Sequence, residues 1–303
     1  MTHAKKHHFV PQFLLRRFAG SGEKLTVHHV TRGVIFTSTV RNIGHRNLGH
    51  TMTMPGSEPD HTTLETEMSK IEAEAAAAIS KLSTSNHKIV PDELRPAIAW
   101  FLALQWQRSR FLLHVTEKEL STLGHDNDAK LHQTIMLRHI RYRVIFPWSL
   151  RHDPNAYYKD AWNNLVAILT SPDMHWSCYR PKNPSLIVSD ASICFSGARD
   201  GFVPEIPSKF LDHGIGAGFH GFRRMTVPLG SRLGLIISSD RNDARRIRAS
   251  EFNKFTVFNS REFVAHAPDW AAENQDLAME LQEHLWVQRT ISPVFLFGYS
   301  GKT

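Results

Sequence analysis

The sequence predicts an α+β fold, in which an N-terminal hairpin precedes a central helical bundle and a C-terminal, mostly antiparallel sheet with flanking helices. Residues 1–60 contain two β-rich segments around a glycine turn, residues 61–170 repeat apolar residues at helical spacing, and residues 171–303 return to short apolar strands. Helices that are grouped before grouped strands are typical of α+β proteins. We expect residues 1–303 to form a single domain with these three parts, because no linker interrupts them.

The N-terminal part begins with a histidine-rich segment and a short helix. Pro11 suits the first turn of that helix, and Gly20 suits the position just past its end. Residues 24–31 and 34–40 are β-rich and meet at Gly33, which predicts a β-hairpin.

The central part is predicted to contain four helices. The first repeats apolar residues at spacings of three and four, and its expected buried face comprises Leu64, Met68, Ile71, Ala75, Ala78 and Leu82. The second helix follows Pro91 and carries apolar residues as far as Phe111 and Val115. The third covers about 128–145 and the fourth about 155–169.

The C-terminal part alternates short strands with helices. Apolar runs predict strands at 185–190, 225–229 and 233–238. We expect a basic helix at 241–252, a short strand at 254–258, a helix near 270–288 and a last strand at 293–299.

The composition is that of an ordinary folded protein. Hydrophobic residues make up 41% and charged residues 21% of the chain, which argues against a disordered protein. Cys178 and Cys194 lack CxxC spacing, so neither a disulfide framework nor a thiolate zinc site is expected. No apolar run is long enough to span a bilayer, and the N-terminal residues lack an apolar signal segment. We therefore expect a cytoplasmic protein with no membrane association.

The charge of the chain is basic, with a formal net charge of +7. The excess comes mainly from arginine clusters, which lie at 108–110, 138–143, 223–224 and 241–248. A surface of this kind favours nucleic acid or another phosphate-bearing partner. The alternative is a solvated basic face that binds nothing in particular.

His7 and His8 are the strongest candidates for chemistry. Imidazole can act as a general base near neutral pH and can also bind a metal ion. Neighbouring residues of an extended segment point to opposite faces, so we expect only one of the two to point into a given site. A purely structural role for both is the alternative.

Four further polar residues lie on predicted helices, and a fifth ends a predicted strand. Glu65 and Glu72 are seven residues apart, so two helical turns return them to the same face. Gln105 and Arg108 are three apart, where Arg108 could bind a phosphate or a carboxylate such as Glu72. Asp190 follows a strand, where it could reach a shared site or cap the following turn. A solvated face or an interhelical pair is the alternative for the helical residues.

The N-terminal histidines also resemble a motif of the histidine-metal finger nucleases. Those enzymes place a His-His-x-x-Pro segment ahead of a hairpin, and then an Asn and a final His, in strand–loop–strand–helix order around one metal. His7 to Pro11 match the first segment, and His45, Asn47 and His50 supply candidates for the second. The helix expected after Pro11 departs from that order.

The whole chain resembles the DUF 4238 family. The most specific match is the opening segment Lys6-His7-His8-Phe9-Val10-Pro11-Gln12-Phe13-Leu14-Leu15-Arg16-Arg17-Phe18. Four further matches follow in sequence order. They are a helix with spaced glutamates (Glu65 and Glu72), a Gln-x-x-Arg helix (Gln105 and Arg108), a strand ending in Ser-Asp (Asp190), and a later strand pair (residues 228–237). Here Ala191-Ser192 replaces the Asn-Pro that usually follows the Ser-Asp, and a histidine-rich segment replaces the acidic-aromatic motif after the hairpin.

This family has no settled biochemical function, but members occur among bacterial antiphage defence systems. The resemblance therefore implies a toxic effector with a possible phage-derived trigger. Our leading hypothesis is a metal-dependent nuclease, a hydrolase that cleaves phosphodiesters of RNA or DNA with Mg²⁺ or Mn²⁺. The expected acidic metal ligands are Glu65, Glu72 and Asp190. The expected catalytic groups are His7, His8, Gln105 and Arg108. The alternatives are a nucleotide or dinucleotide hydrolase and a non-catalytic nucleic-acid-binding or sensor protein.

Overall fold

The computed structural model describes residues 6–53, 56–109, 112, 121, 124, 129–156, 165–198, 218–243 and 247–297. Contacts divide the chain into two compact units. The first unit contains the residues up to Leu14 together with Asn42–Met174. The second contains Leu15–Arg41 together with the residues from His175 onward, so the predicted hairpin groups with the C-terminal part of the chain.

The described helices and strands are named here in chain order. Up to residue 174 they are β1 (Lys6–His8), α1 (Gln12–Arg16), β2 (Lys24–His29), β3 (Ile35–Thr39), β4 (His45–Asn47), α2 (Thr63–Thr84), α3 (Arg95–Gln107), α4 (Ala129–Ile140), a π-helical segment (Arg141–Ile145), α5 (Phe146–Ser149) and α6 (Leu165–Thr170). From residue 175 they are β5 (His175–Tyr179), β6 (Val188–Ser189), β7 (Cys194–Ala198), α7 (Gly218–Gly221), β8 (Phe222–Gly230), β9 (Leu233–Ser238), α8 (Ala249–Asn259), β10 (Phe263–His266), α9 (Trp270–Glu273) and α10 (Gln275–Phe297).

The predicted α+β class is confirmed. The first unit is mainly helical, and the described residues form three small antiparallel sheets. None of the described helices is both long and apolar enough to cross a membrane.

The core of the first unit is built around α3, which contacts α2, α4 and α6. The predicted apolar face of α2 is buried throughout, from Leu64 to Leu82. Phe101 of α3 is fully buried and its ring lies 5.4 Å from the ring of Phe13. Hydrophobic burial along α2 and α3 therefore stabilises the helices against which the N-terminal histidine segment packs.

A two-stranded sheet carries the His-His segment. β1 pairs antiparallel with β4, so that His7 lies opposite Arg46 and His8 opposite His45. The pairing ends at Gly44, whose carbonyl oxygen accepts hydrogen bonds from the backbone N–H groups of Phe9 (2.9 Å) and Val10 (3.1 Å).

The second unit contains two four-stranded antiparallel sheets. One has the strand order β3-β2-β10-β6, and the other has the order β5-β9-β8-β7. The predicted hairpin is confirmed as β2 and β3, and it joins this unit because β2 also pairs with β10. The predicted strand pair near 225–238 is confirmed as β8 and β9.

One glycine permits the close packing of α8 on β9. A Cβ atom at Gly234 would lie only 2.5 Å from the ring of Phe252, which is fully buried. Any larger residue at this position would force the helix away from the sheet.

Several predictions about the C-terminal elements are wrong. The Arg-rich stretch from residue 241 begins with a turn, and the helix starts only at Ala249, because apolar Phe252 and Phe255 lie on its buried face. The strand expected at 254–258 belongs to this helix. The strand expected from residue 293 is also wrong, since α10 continues past Pro293 to Phe297, losing one backbone hydrogen bond near its end.

Two helix predictions extend beyond what the structure describes. α3 ends at Gln107, and the apolar residues Phe111 and Val115 lie outside the described residues. The fourth predicted helix is present from Leu165, whereas residues 157–164 lie outside the described part.

Asp190 anchors the start of β10. Its carboxylate accepts hydrogen bonds from the backbone N–H groups of Arg261, Glu262 and Phe263, at 3.0 to 3.1 Å. Asp190 is 3% exposed, so the carboxylate replaces water as the acceptor for these buried donors. These donors belong to a distant segment and not to the turn that follows Asp190, which the sequence had offered as an alternative.

A pair of buried histidines joins β2 to β10. His266 Nδ1 donates to the carbonyl oxygen of Ala267 (2.7 Å), so its Nε2 is left to accept. His28 Nε2 lies 2.9 Å away and must donate that hydrogen bond, which leaves His28 Nδ1 buried and without a partner. Burial first, and then the charges of His266 and Arg289, lower the pKa of His28 to about 4.

Replacing Asp190 with Asn should strongly destabilise the second unit. The amide places an NH₂ group among backbone donors, so we expect Asp190→Asn to lower the free energy of unfolding by at least about 2 kcal/mol. Urea unfolding followed by circular dichroism measures this change. Asp240 accepts one backbone N–H in an exposed turn, and Asp240→Asn is the matched control. Equal stability of the two variants would contradict this role for Asp190.

The pair of His28 and His266 should make stability depend on pH. The folded pKa of His28 lies below its usual 6.5, so the unfolded chain binds more protons between about 6.5 and 4. The contribution of neutral His28 is present above pH 6.5 and is lost as pH falls towards 4, by up to about 3 kcal/mol. The free energy of unfolding, measured at pH 7, 6 and 5, should depend less steeply on pH in His28→Phe than in the wild type. The exposed control His152→Gln should keep the wild-type slope, and an unchanged slope in His28→Phe would contradict the assignment.

Candidate functional site

Most of the residues that the sequence singles out come together in the first unit. The cluster lies on β1, β4, α2 and the end of α3, and the loop after β4 completes it. Its members are His7, His8, His45, His50, Glu65, Glu72, Gln105 and Arg108, and we call this group the histidine–glutamate cluster.

His7 holds the loop after β4 in place. Its Nδ1 accepts a hydrogen bond from the backbone N–H of His50 (2.9 Å), and the two rings are stacked 5.6 Å apart. Because the backbone N–H is the donor, Nδ1 carries no proton, and the proton of the neutral ring lies on Nε2. His7 is 1% exposed, so this contact is shielded from water.

His50 and Glu65 form the closest polar contact of the cluster. His50 Nδ1 contacts a carboxylate oxygen of Glu65. Burial alone would raise the pKa of Glu65, but the hydrogen bond and charge of His50, together with His7 and Arg108, hold the pKa below its usual range. Glu65 is therefore ionised at neutral pH. Its side chain is 36% exposed, whereas that of His50 is 8% exposed, so Glu65 faces the opening of the cluster.

His8 presents a ring nitrogen that no protein group uses. Its Nε2 is buried and has no hydrogen-bond partner among the described residues, while Nδ1 lies 3.5 Å from the Gln12 amide nitrogen. Burial, followed by the charge of His45, lowers the pKa of His8 to about 4, so the ring is neutral at pH 7. The unpaired Nε2 accepts from a ligand when the proton lies on Nδ1, and donates when the proton lies on Nε2.

Both N-terminal histidines interact with the same carboxylate. His7 lowers the pKa of Glu65, and Glu65 opposes the lowered pKa of His8. This differs from the expectation that only one of them would point into a given site. β1 spans three residues, and among the described strands it pairs only with β4. Side chains of the surrounding elements can therefore contact both faces of β1.

Arg108 is a buried cation within the cluster. Its guanidinium forms an ion pair with Glu72 (2.7 Å), and its Nε donates to the side-chain oxygen of Gln105 (2.5 Å). A third contact runs from Nη1 to the carbonyl oxygen of His8 (3.4 Å). The side chain of Arg108 is only 2% exposed, which means that these partners, rather than water, compensate its charge.

Three side chains of the cluster have the arrangement of a metal site. His7, His50 and Glu65 each offer one ligand atom, and these atoms lie within 4.8 Å of one another. Two imidazoles and one carboxylate suit manganese, iron or zinc better than magnesium, which prefers oxygen ligands. The donor set therefore fits a transition metal. A metal at His7 would have to displace the hydrogen bond from His50 or replace the proton on His7 Nε2.

Two predicted acidic ligands have other partners. Glu72 pairs with Arg108. Asp190 belongs to the second unit and is not a member of the histidine–glutamate cluster, since its carboxylate is used by the backbone donors of residues 261–263. Neither contact resembles that of a metal ligand.

Three residues that belong to the cluster or hold its loop were not among the site residues expected from the sequence. His45 and His50 were considered only as matches to the histidine-metal finger motif. Gln133 of α4 had no sequence signal, yet its amide donates to the carbonyl oxygens of Leu48 (3.1 Å) and Gly49 (3.1 Å) in the loop that carries His50.

Comparison with known proteins identifies the family alone. No curated protein and no solved structure is significantly similar to the chain. The profile of a family described as "Protein of unknown function (DUF4238)" matches residues 6–269. This match begins at the first residue of β1 and includes every member of the histidine–glutamate cluster. The chain therefore belongs to the DUF4238 family.

Proposed function

We propose that this protein is a metal-assisted nuclease that hydrolyses phosphodiester bonds of RNA or DNA. One observation carries the proposal: His7, His50 and Glu65 offer three ligand atoms within 4.8 Å, and a third histidine of the same cluster, His8, has an Nε2 atom without a partner among the described residues. Metal-assisted hydrolysis needs an ion to polarise the phosphate and a nearby group to move a proton.

The order of the elements supports the same proposal. β1, β4 and α2 follow one another as strand, strand and helix, and each contributes to or flanks the cluster. This is the order that histidine-metal finger nucleases use around one metal. Residues 9–44 are inserted between the two strands, which accounts for the helix after Pro11. Glu65 on the first turn of α2 supplies a ligand from the helix.

We assign the roles as follows. His7, His50 and Glu65 would hold the metal, which supplies a Lewis acid for the phosphate and lowers the pKa of a bound water. His8 would contact the substrate or the attacking water through Nε2. Burial keeps this ring neutral at pH 7, so Nε2 can accept a hydrogen bond from that water or donate one to the phosphate, depending on which ring nitrogen carries the proton.

Arg108, Gln105 and Glu72 act as positioning residues in this proposal. The sequence hypothesis counted Arg108 and Gln105 among the catalytic groups and offered Arg108 either a phosphate or a carboxylate such as Glu72. Their side chains contact one another, Glu72 and the main chain of His8. They therefore hold β1 against the helices through the main chain of His8.

Glu65→Gln should abolish cleavage without unfolding the protein. The substitution keeps the shape of a partly exposed side chain but removes the charge, so we expect at least a hundredfold loss of cleavage rate. Labelled single-stranded RNA, single-stranded DNA, tRNA and plasmid are incubated with the protein and Mn²⁺, Zn²⁺ or Mg²⁺, or with EDTA. The exposed control Glu93→Gln should retain full activity.

The same assay separates the nuclease from its alternatives. Intact nucleic acid with hydrolysis of free nucleotides would favour a nucleotide hydrolase. If no substrate is cleaved and expression of Glu65→Gln is as toxic to cells as that of the wild type, the nuclease proposal is wrong.

A transition metal should bind the protein and stabilise it. At a metal concentration of 100 times Kd, binding to the folded state adds about 2.7 kcal/mol to the free energy of unfolding. Equilibrium dialysis with Mn²⁺ and Zn²⁺, followed by elemental analysis, measures the stoichiometry and affinity. We expect one ion per chain and at least about tenfold weaker binding by Glu65→Gln. Equal metal affinity of Glu65→Gln and Glu93→Gln would contradict the assigned ligands.

A further inference from the structure

An exposed basic and aromatic strip follows α4 through the π-helical segment into α5. Its residues face solvent, while Ile140, Val144 and Ile145 on the opposite side are buried. The exposed residues are Arg138, His139, Arg141, Tyr142, Arg143 and Phe146, and we call them the α4–α5 strip. π-helical turns widen a helix locally and frequently occur at functional sites.

The strip has exposed cations with little local compensation. Neither Arg141 nor Arg143 forms a salt bridge with any described residue. The pKa of Asp60 is lowered mainly by hydrogen bonds from the backbone N–H groups of Thr63 and Thr62 (3.0 Å each), and the charge of Arg141 lowers it further. The Asp60 carboxylate is therefore already bound by these donors. Burial first, and then the positive charge of Arg143, lower the pKa of His139. The strip therefore attracts anions.

Two large aromatic rings are exposed among these cations. Tyr142 is 66% exposed and Phe146 is 53% exposed. They are four residues apart, so they lie near one another along the helix surface. Exposed aromatic rings between arginines are the combination that stacks the bases of single-stranded nucleic acid while binding its backbone.

A cleft connects the strip with the first turn of α2. Its volume is about 260 Å³, and Arg141, Ile145 and Phe146 line one side, with Met52, Leu64 and Glu67 on the other. Pockets for drug-sized ligands begin at about 300 Å³, so this cleft suits a smaller flat group such as one nucleobase. An unpaired base can enter such a cleft, whereas a base inside a duplex is held by its stack.

The strip and the histidine–glutamate cluster share the same supports. Leu64 of the cleft is adjacent to Glu65, and Met52 lies two residues after His50. Gln133, on the helix that leads into the strip, donates hydrogen bonds to the loop that carries His50. A nucleic-acid strand bound along the strip would therefore lie against the same unit as the candidate metal ligands.

We propose that the α4–α5 strip binds single-stranded nucleic acid, with bases stacked on Tyr142 and Phe146, one base in the cleft and phosphates on Arg141 and Arg143. The inference rests on the proposed nuclease and names its substrate class. An acidic protein is a different partner for the same charges, but the exposed rings and the base-sized cleft favour nucleic acid.

Fluorescence anisotropy with a labelled twelve-nucleotide oligouridylate, the matching single-stranded DNA and a duplex of equal length tests the proposal. All variants carry Glu65→Gln and are measured in EDTA, so that no probe is cleaved. Tyr142→Ala with Phe146→Ala should weaken single-strand binding at least about fivefold. Arg141→Gln with Arg143→Gln should lower the slope of log affinity against log salt by about 1.4.

Matched controls lie outside the strip. Lys130→Gln removes an exposed charge at the start of α4, and Trp286→Ala removes an exposed ring in the second unit. Both should bind like the parent. Unchanged affinity of the strip variants, equal loss in the controls, or equally tight binding of the duplex would overturn the inference. So would polyglutamate that binds as tightly as the oligonucleotide and is affected by the same substitutions.

The outcomes also separate this inference from the proposed nuclease. Cleavage that depends on Glu65, combined with unaltered binding by the strip variants, would refute the strip and retain the nuclease. Weaker binding by the strip variants without any cleavage would retain the strip and refute the nuclease.

Discussion

The buried charge of Arg108 is the interaction on which the histidine–glutamate cluster depends. An unpaired guanidinium in the interior would be strongly destabilising, so its position requires an anion and further acceptors. Glu72 from α2, Gln105 from α3 and the carbonyl oxygen of His8 from β1 meet that requirement. One cation thereby fixes the positions of three elements that are distant in the sequence. A short strand such as β1 could not hold this geometry through its pairing with β4 alone.

The two N-terminal histidines differ in how their ring nitrogens are used. His7 uses Nδ1 to bind the main chain of the His50 loop, whereas the Nε2 atom of His8 has no partner in the part of the chain that the structure describes. The His-His segment therefore does not have to be catalytic as a whole or structural as a whole. Adjacent residues of one strand meet different needs, because hydrogen bonds determine which nitrogen of each ring is available.

Much of the fold and part of the site could be predicted from sequence, since the responsible signals are local. The apolar period of α2 predicted its buried face, and the segment around Gly33 predicted β2 and β3. Glu65 and Arg108 were recognised because helical spacing places polar residues on a face. The partnership of His50 with Glu65 could not be predicted in this way, because residues 51–64 separate them without a regular pattern. The contacts of Asp190 could not be predicted for a related reason: its backbone partners lie about 70 residues further along the chain.

The antiparallel pairing of β2 with β10 has a consequence for the order in which the chain folds. His28 and His266 are 238 residues apart, so the hairpin emerges long before its partner strand is made. At 5–20 residues per second, synthesis of the intervening chain takes roughly 10–50 s. During that interval β2 lacks one neighbour, and the apolar side chains of Val34, Ile35 and Phe36 are exposed beside it. All residues of the first unit, by contrast, have been made once Met174 is added. The unit that carries the histidine–glutamate cluster can therefore form while the other still awaits its last strand, and nascent chains are most exposed to aggregation through the unpaired hairpin.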